Sequence, residues 1–281
     1  MSTFIRSGRR AILLALVVVA LGCVLEVSPA RGEVLTMAIP GEGYPPYIIT
    51  RSTPGVGELE EAPTGIVIEV LKIAAARENI DLEFAEVPEL RAQKMLDEGM
   101  VDIRAESPHW VERPEGYLWS ESIIAVHDVF VFARDVEDVF ENDEDLLGAD
   151  IITHLGYEYP TLQPMFEDGV LIRNDRQTEE FMLTALYHGG LADFAPPKRA
   201  AVMDRLVASW IIRREPRYQG QFRFSEREVA SAPLHFMVSQ KPGHAELVDR
   251  INQHIVTLKA SGAVEDIAQR MINLPAKPGS R

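Results

Sequence analysis

The sequence predicts an α/β fold built around a largely parallel sheet. Short apolar segments such as VLTMAI (Val34–Ile39) and VFVFA (129–133) alternate with stretches whose apolar residues recur at helical spacing. Strands that alternate with helices pack as parallel sheets covered by those helices. The chain's 281 residues, 46% hydrophobic and 25% charged, suffice for one large domain or two modest ones.

The elements follow in order. A first strand at Val34–Ile39 leads into a turn-rich loop at 41–47 that contains Pro45 and Pro46. Residues 51–63 (RSTPGVGELEEAP) read as an exposed excursion. Gly65 opens a helix over Ile66–Glu78, with Val67, Val70, Leu71 and Ala74 on one face. A strand at 82–87 and a helix at 90–98 follow, and Gly99 is the natural end of that helix. A short strand at 100–103 then runs into a polar turn carrying Trp110 and Arg113. Residues 129–133 form a strand, and the acidic stretch at 135–145 a solvated loop. Next come a strand at Asp150–His154, a helix at 161–166, a strand at 169–172, a helix at 178–187 and a strand at 191–194. Residues 198–214 read as an amphipathic helix and 234–239 as a late strand. Two helices, 245–259 and Ala263–Ile272, split at Ser261 and Gly262, close the chain. There is no internal repeat.

The first thirty residues are of another kind. Arg6, Arg9 and Arg10 precede an apolar run at 11–22, too short to span a bilayer comfortably. This reads as a secretory signal peptide over 1–30, with Ser28-Pro29-Ala30 as the preferred cleavage site. Cys23 offers a less favoured lipoprotein alternative, because the leucine before it is one place off the usual box. It is the only cysteine, so cleavage after Ala30 leaves no disulfide, thiol nucleophile or thiolate metal site. The seven histidines show no metal-ligand spacing. Neither a metal nor a cofactor is expected. A net charge of −15 argues against nucleic acid and anionic membranes as partners. An anionic ligand would then need a local basic group. Arg113 lies just past a strand's carboxyl end, where open α/β sheets keep their ligands, and its fork suits a carboxylate or phosphate.

Four phrases, taken together and in order, resemble the periplasmic solute-binding proteins of amino-acid transporters. They are Tyr44-Pro45-Pro46-Tyr47 after the first strand; Gly65 and Glu69 at the next helix; Gly99 and Asp102 running on to Glu112-Arg113 and Trp119-Ser120; and the ending Leu258-Lys259-Ala260-Ser261-Gly262-Ala263. The resemblance implies the two-lobed type II binding-protein fold, each lobe a mostly parallel sheet flanked by helices. Lobe 1 would hold 31–124 and 235–281, and lobe 2 129–231. Hinge crossings would fall near 125–128 and 230–234, and a solute between the lobes would draw them closed.

The resemblance also implies a ligand set. Arg113 matches the family arginine that holds a ligand carboxylate. Glu106 and Ser107 fall where the family presents small polar groups, and Glu106 either accepts from a ligand amine or pairs with Arg104. Tyr44, Tyr47 and Trp110 would form an aromatic wall. In lobe 2, Gly156-Tyr157-Glu158 stands where the family has a Gly-Thr-Thr-like turn. Gly190-Leu191-Ala192-Asp193 matches a phrase preceding the family's amine-reading aspartate, which puts that position at Pro197 or Lys198. Lys198 with Arg113 would suit a ligand with two anionic ends, or one carboxylate gripped from both lobes.

The function so implied is that of a monomeric, non-enzymatic periplasmic binding protein. It would capture a small carboxylate-containing solute, amino-acid-like or a dicarboxylate, for an inner-membrane ABC permease or a sensor. Two alternatives stand beside it. One is an enzyme resembling the cyclohexadienyl dehydratases, with Glu158 as general acid. The other is a scaffold protein that kept the fold and lost the ligand.

Overall fold

The computed structural model describes residues 33–56, 59, 63–136, 140–189 and 198–275. The signal peptide, Cys23 and the strand expected at 191–194 lie outside the described residues.

Strand β1 (Val34–Ile39) pairs in parallel with β2 (Asp81–Glu86) and with β3 (Ile103–Glu106). Its residues alternate between two cores: Leu35, Met37 and Ile39 face helix α1 (Ile66–Glu78), while Ala38 faces α2 (Glu89–Asp97). A second parallel group consists of β6 (Asp150–His154) between β7 (Ile172–Arg176) and β8 (Arg199–Asp204). Two longer strands, β5 (Ile124–Ala133) and β9 (Phe222–Val238), join the groups. β9 pairs antiparallel with β3 and with β4 (Leu118–Trp119) at one end and with β5 along the rest, and β5 pairs antiparallel with β8. The resulting order is β2-β1-β3-β9-β5-β8-β6-β7.

The remaining helices are α3 (Gln163–Glu167), α4 (Glu179–Gly189), α5 (Arg205–Arg214), α6 (His244–Ala260) and α7 (Ala263–Ile272). One large core runs from α1, α6 and α7 across the sheet to α4 and α5. Phe130 and Phe132, on the opposite face of β5 from Val131, pack with Phe140, Leu146, Tyr159 and Leu162 in a second core.

Several segments differ from their sequence expectation, among them β5, which begins at Ile124 rather than at 129. Residues 198–214 are not one helix: Arg199–Asp204 is a buried central strand, and only Arg205–Arg214 is helical. The run Ala200–Met203 is apolar without a break, so periodicity does not separate buried strand from buried helix. β3 sits at Ile103–Glu106 rather than 100–103, with Met100 exposed in the turn after Gly99. β7 lies at Ile172–Arg176 rather than 169–172, because a sheet-edge strand tolerates the polar sequence IRNDR. β9 extends to 17 residues, beyond the expected 234–239, through the polar stretch that precedes it.

Candidate functional site

The carboxyl ends of the parallel strands place the candidate residues. After β1 the chain turns through Tyr44 and Tyr47, whose rings stack with centroids 5.5 Å apart. The start of α1 holds this turn: the backbone N–H groups of Ile66 and Val67 donate to the carbonyls of Pro46 and Tyr47 at 3.0 and 3.1 Å. Free amides at a helix start need such acceptors. Gly65 permits the approach, since a Cβ there would lie 2.4 Å from the Tyr47 carbonyl oxygen.

Asp204 ends β8 and caps α5. Its Oδ1 accepts from the Val207 N–H at 2.9 Å and from the Tyr47 hydroxyl at 3.0 Å; its Oδ2 accepts from the His127 N–H at 2.9 Å. An acid before an amphipathic run is a strong N-cap. Tyr47 and Asp204 are 1% and 5% exposed. Burial raises the Asp204 pKa, and the three hydrogen bonds oppose that rise. Burial and then the Asp204 charge hold both the Tyr47 and the Tyr44 phenols well above their usual range.

Asp128 on β5 is the direct register partner of Asp204. Its pKa is pushed up to about 7 by burial and by the Asp204 charge, with His127 pulling the other way. After β6, Gly156 takes φ 85° and Tyr157 stacks on His154 with centroids 4.1 Å apart. The His154 N–H donates to the Tyr159 hydroxyl at 2.9 Å, and His154 Nε2 lies 3.9 Å from Glu179 at the start of α4. The Tyr157 and Glu179 charges act on Tyr44, which ties the loop after β6 to the loop after β1.

The expected site residues therefore divide. Tyr47 bonds Asp204 and stacks on Tyr44, while Gly156 and Tyr157 lie in the loop after β6, where Tyr157 stacks on His154. Glu106 ends β3, the strand beside β1, and Ser107 follows it; Glu106 bonds Arg104 at 2.6 Å, so the internal pairing is present, and it also accepts from the Ser107 N–H at 3.0 Å. The Ser107 hydroxyl is buried and caps the short turn Pro108–Trp110. Trp110 is 55% exposed. Arg113 is exposed beside Tyr117, whose hydroxyl donates to Asp97 of α2 at 2.5 Å. Glu158 is exposed and lacks the burial that a general acid in this position would need. Lys198 stands at the entrance of β8, the opposite end from Asp204, and donates to the Asp145 carbonyl at 3.0 Å. It does not meet Arg113 because the strand begins there instead of ending.

Asp128, Asp204, His154 and Glu179 were not among the expected residues. The signal for Asp204 was an acid between the apolar run Ala200–Met203 and an amphipathic helix. Among the described residues, no group of three or more His, Cys, Asp or Glu side chains is placed to hold a metal ion. None of the described helices is long and apolar enough to cross a membrane.

Two parallel strand groups joined by an antiparallel pair, with polar and aromatic residues at the strands' carboxyl ends, define the type II periplasmic binding fold. The chain belongs to the bacterial extracellular solute-binding proteins, family 3, whose sequence model matches residues 35–273. Solved structures agree on the fold. The GluR0 ligand-binding core in complex with L-glutamate superposes with a TM-score of 0.63 at 16% identity, covering 86% of this chain and all of that one. The amino-acid ABC transporter substrate-binding protein AbpA of Streptococcus pneumoniae, bound to L-arginine, gives 0.61 at 13% identity over 86% and 95%. A histidine kinase sensor domain similar to periplasmic binding proteins gives 0.61 at 22% identity over 88% and 99%. No curated protein matches the sequence.

Proposed function

We propose that the chain is a non-enzymatic periplasmic binding protein that captures a small, amine-bearing polar solute for an ABC permease or a sensor. Lobe 1 would comprise 31–124 and 235–281, and lobe 2 129–231, with Tyr44 and Tyr47 on the first and Asp204, His154 and Tyr157 on the second. The observation that carries this reading is the Tyr47–Asp204 hydrogen bond, which joins an aromatic turn to a buried carboxylate at the carboxyl ends of strands from both groups. An acid set there reads an ammonium group, and tyrosine faces cover its apolar stem. The neighbours bound to L-glutamate and L-arginine hold solutes that share an α-amine. Arg113, exposed and without a side-chain partner among the described residues, is free to meet a ligand carboxylate. Closure of one lobe on the other would bury the solute and present a new surface to the partner.

A thermal-shift panel of amino acids, amines, dicarboxylates and sugars tests this. At least one small solute is expected to raise the unfolding midpoint by several degrees, as ligands that bind only the folded state do. No shift with any of them overturns the reading.

A further inference from the structure

We infer that Arg213 and Arg214 form a latch between the two strand groups, and that this latch sets solute affinity from outside the site. The inference rests on the hinged binding role proposed above.

Helix α5 continues directly from β8 of one group, whereas α7 packs on α1 and α6, the helices of the other. The amino end of α5 meets that other group through Asp204, which accepts from the Tyr47 hydroxyl at 3.0 Å. Its carboxyl end meets the group a second time. Arg213 Nη1 donates to Asn273 Oδ1 at 2.6 Å. Arg214 donates from Nη2 to the Leu274 carbonyl at 2.8 Å and from Nη1 to the Ile272 carbonyl at 3.4 Å. The two ties stand about 15 Å apart along one helix. α5 is thus held at both ends by residues of the group it does not belong to.

Local rules build the second tie. α7 ends at Ile272, and the last carbonyls of a helix have no partner within it. A cation there also opposes the negative end of the helix dipole. The guanidinium that meets these carbonyls comes from the other group. Trp210, one turn earlier on α5, lies under it with Arg214 Cζ 3.7 Å from the ring centroid, so the fork is aimed in advance. The contact is nevertheless a loose one. Arg213 and Asn273 are exposed. The buried atoms Trp210 Nε1 and Arg214 Nε have no acceptor among the described residues. A small polar contact of this kind biases an equilibrium between two arrangements, where a packed apolar core would lock it.

Both ties belong to one arrangement. Breaking the far one leaves the Tyr47–Asp204 bond alone against the parting of the groups, so the arrangement that encloses a solute is populated less. Apparent affinity falls by the same fraction, although both arginines stand a helix length from Asp204.

Paired spin labels test the latch without any solute. Glu115→Cys and Pro160→Cys place them at exposed positions in the loops that follow β3 and β6, with Cys23→Ser removing the only native cysteine. Combining Arg213→Ala with Arg214→Ala is expected to move the label separation several ångströms to longer distance. Asn273→Ala touches only an exposed group and is expected to move it less, in the same direction. L-Lysine, titrated calorimetrically into the unlabelled proteins, is expected to bind the double variant about threefold or more weakly than the wild type. An unchanged separation in both variants overturns the latch and leaves the binding role standing. A longer separation with L-lysine affinity unchanged or tighter overturns its control of affinity. Should L-lysine not bind the wild type, the solute with the largest shift in the thermal panel takes its place in the titration. Silence from the whole panel overturns the binding role and the inference together.

Discussion

The Tyr47 hydroxyl donates to the Asp204 carboxylate across 3.0 Å, bridging 157 positions of sequence between two buried side chains. Either change, Tyr47→Phe or Asp204→Ala, leaves a buried polar group short of a partner, at about 1–3 kcal/mol. Asp204→Ala also removes the α5 cap, for roughly 1 kcal/mol more. A double-mutant cycle by urea denaturation is expected to give a coupling of about 1–3 kcal/mol. Additive effects would mean that the contact carries no energy.

Asp128 sets a pH dependence. In the unfolded chain its carboxyl releases its proton near the usual 3.8, in the folded chain at about 7. Between these values the folded state binds more protons, so stability falls as pH rises and stays reduced above 7. Asp204 and His127 face the group, and its charge reaches Tyr47 and Tyr159. Asp128→Asn is expected to remove the penalty, raising stability above pH 7 by on the order of 2–4 kcal/mol and leaving it unchanged near pH 3. Unfolding midpoints from pH 3 to 9 measure this, and parallel curves for the two proteins would refute it.

Gly65 is expected to resist replacement. It combines φ 119° with a position that would put a Cβ 2.4 Å from the Tyr47 carbonyl. Gly65→Ala has to shift either the turn or the helix start, at a cost of about 2 kcal/mol or more. Thermal unfolding reads the loss, and a midpoint unchanged within a degree contradicts it.

Arg113 separates ligand classes. Its removal deletes a charge-assisted bond worth about 1.5–3 kcal/mol wherever the ligand carries a carboxylate. Arg113→Ala is therefore expected to weaken L-lysine at least tenfold, leave 1,4-diaminobutane unchanged and keep stability within about 0.5 kcal/mol. Equal loss for both ligands would rule out a carboxylate role.

Much of the fold was legible because apolar periodicity reports burial directly. β1, α1, β6 and α7 fall at the expected residues, each a run with one clear period. β7 and the first half of β9 were hidden because polar strands that lean on neighbours carry little hydrophobic signal. The site was half legible. Tyr44, Tyr47 and Tyr157 follow strand ends, where position alone marks them. Asp204 escaped because β8 was read as helix, which moved the search for an acid to Pro197 and Lys198, at the strand's other end. Asp128 escaped because cross-strand pairing is a tertiary fact: nothing in VHDVF says which residue will face it.

A crystal structure with the captured solute is the most direct measurement. The expected result is a ligand ammonium nitrogen within hydrogen-bond distance of Asp204, against the Tyr44 and Tyr47 rings. A ligand held by a carboxylate at Arg113, with no positively charged group near Asp204, would contradict it.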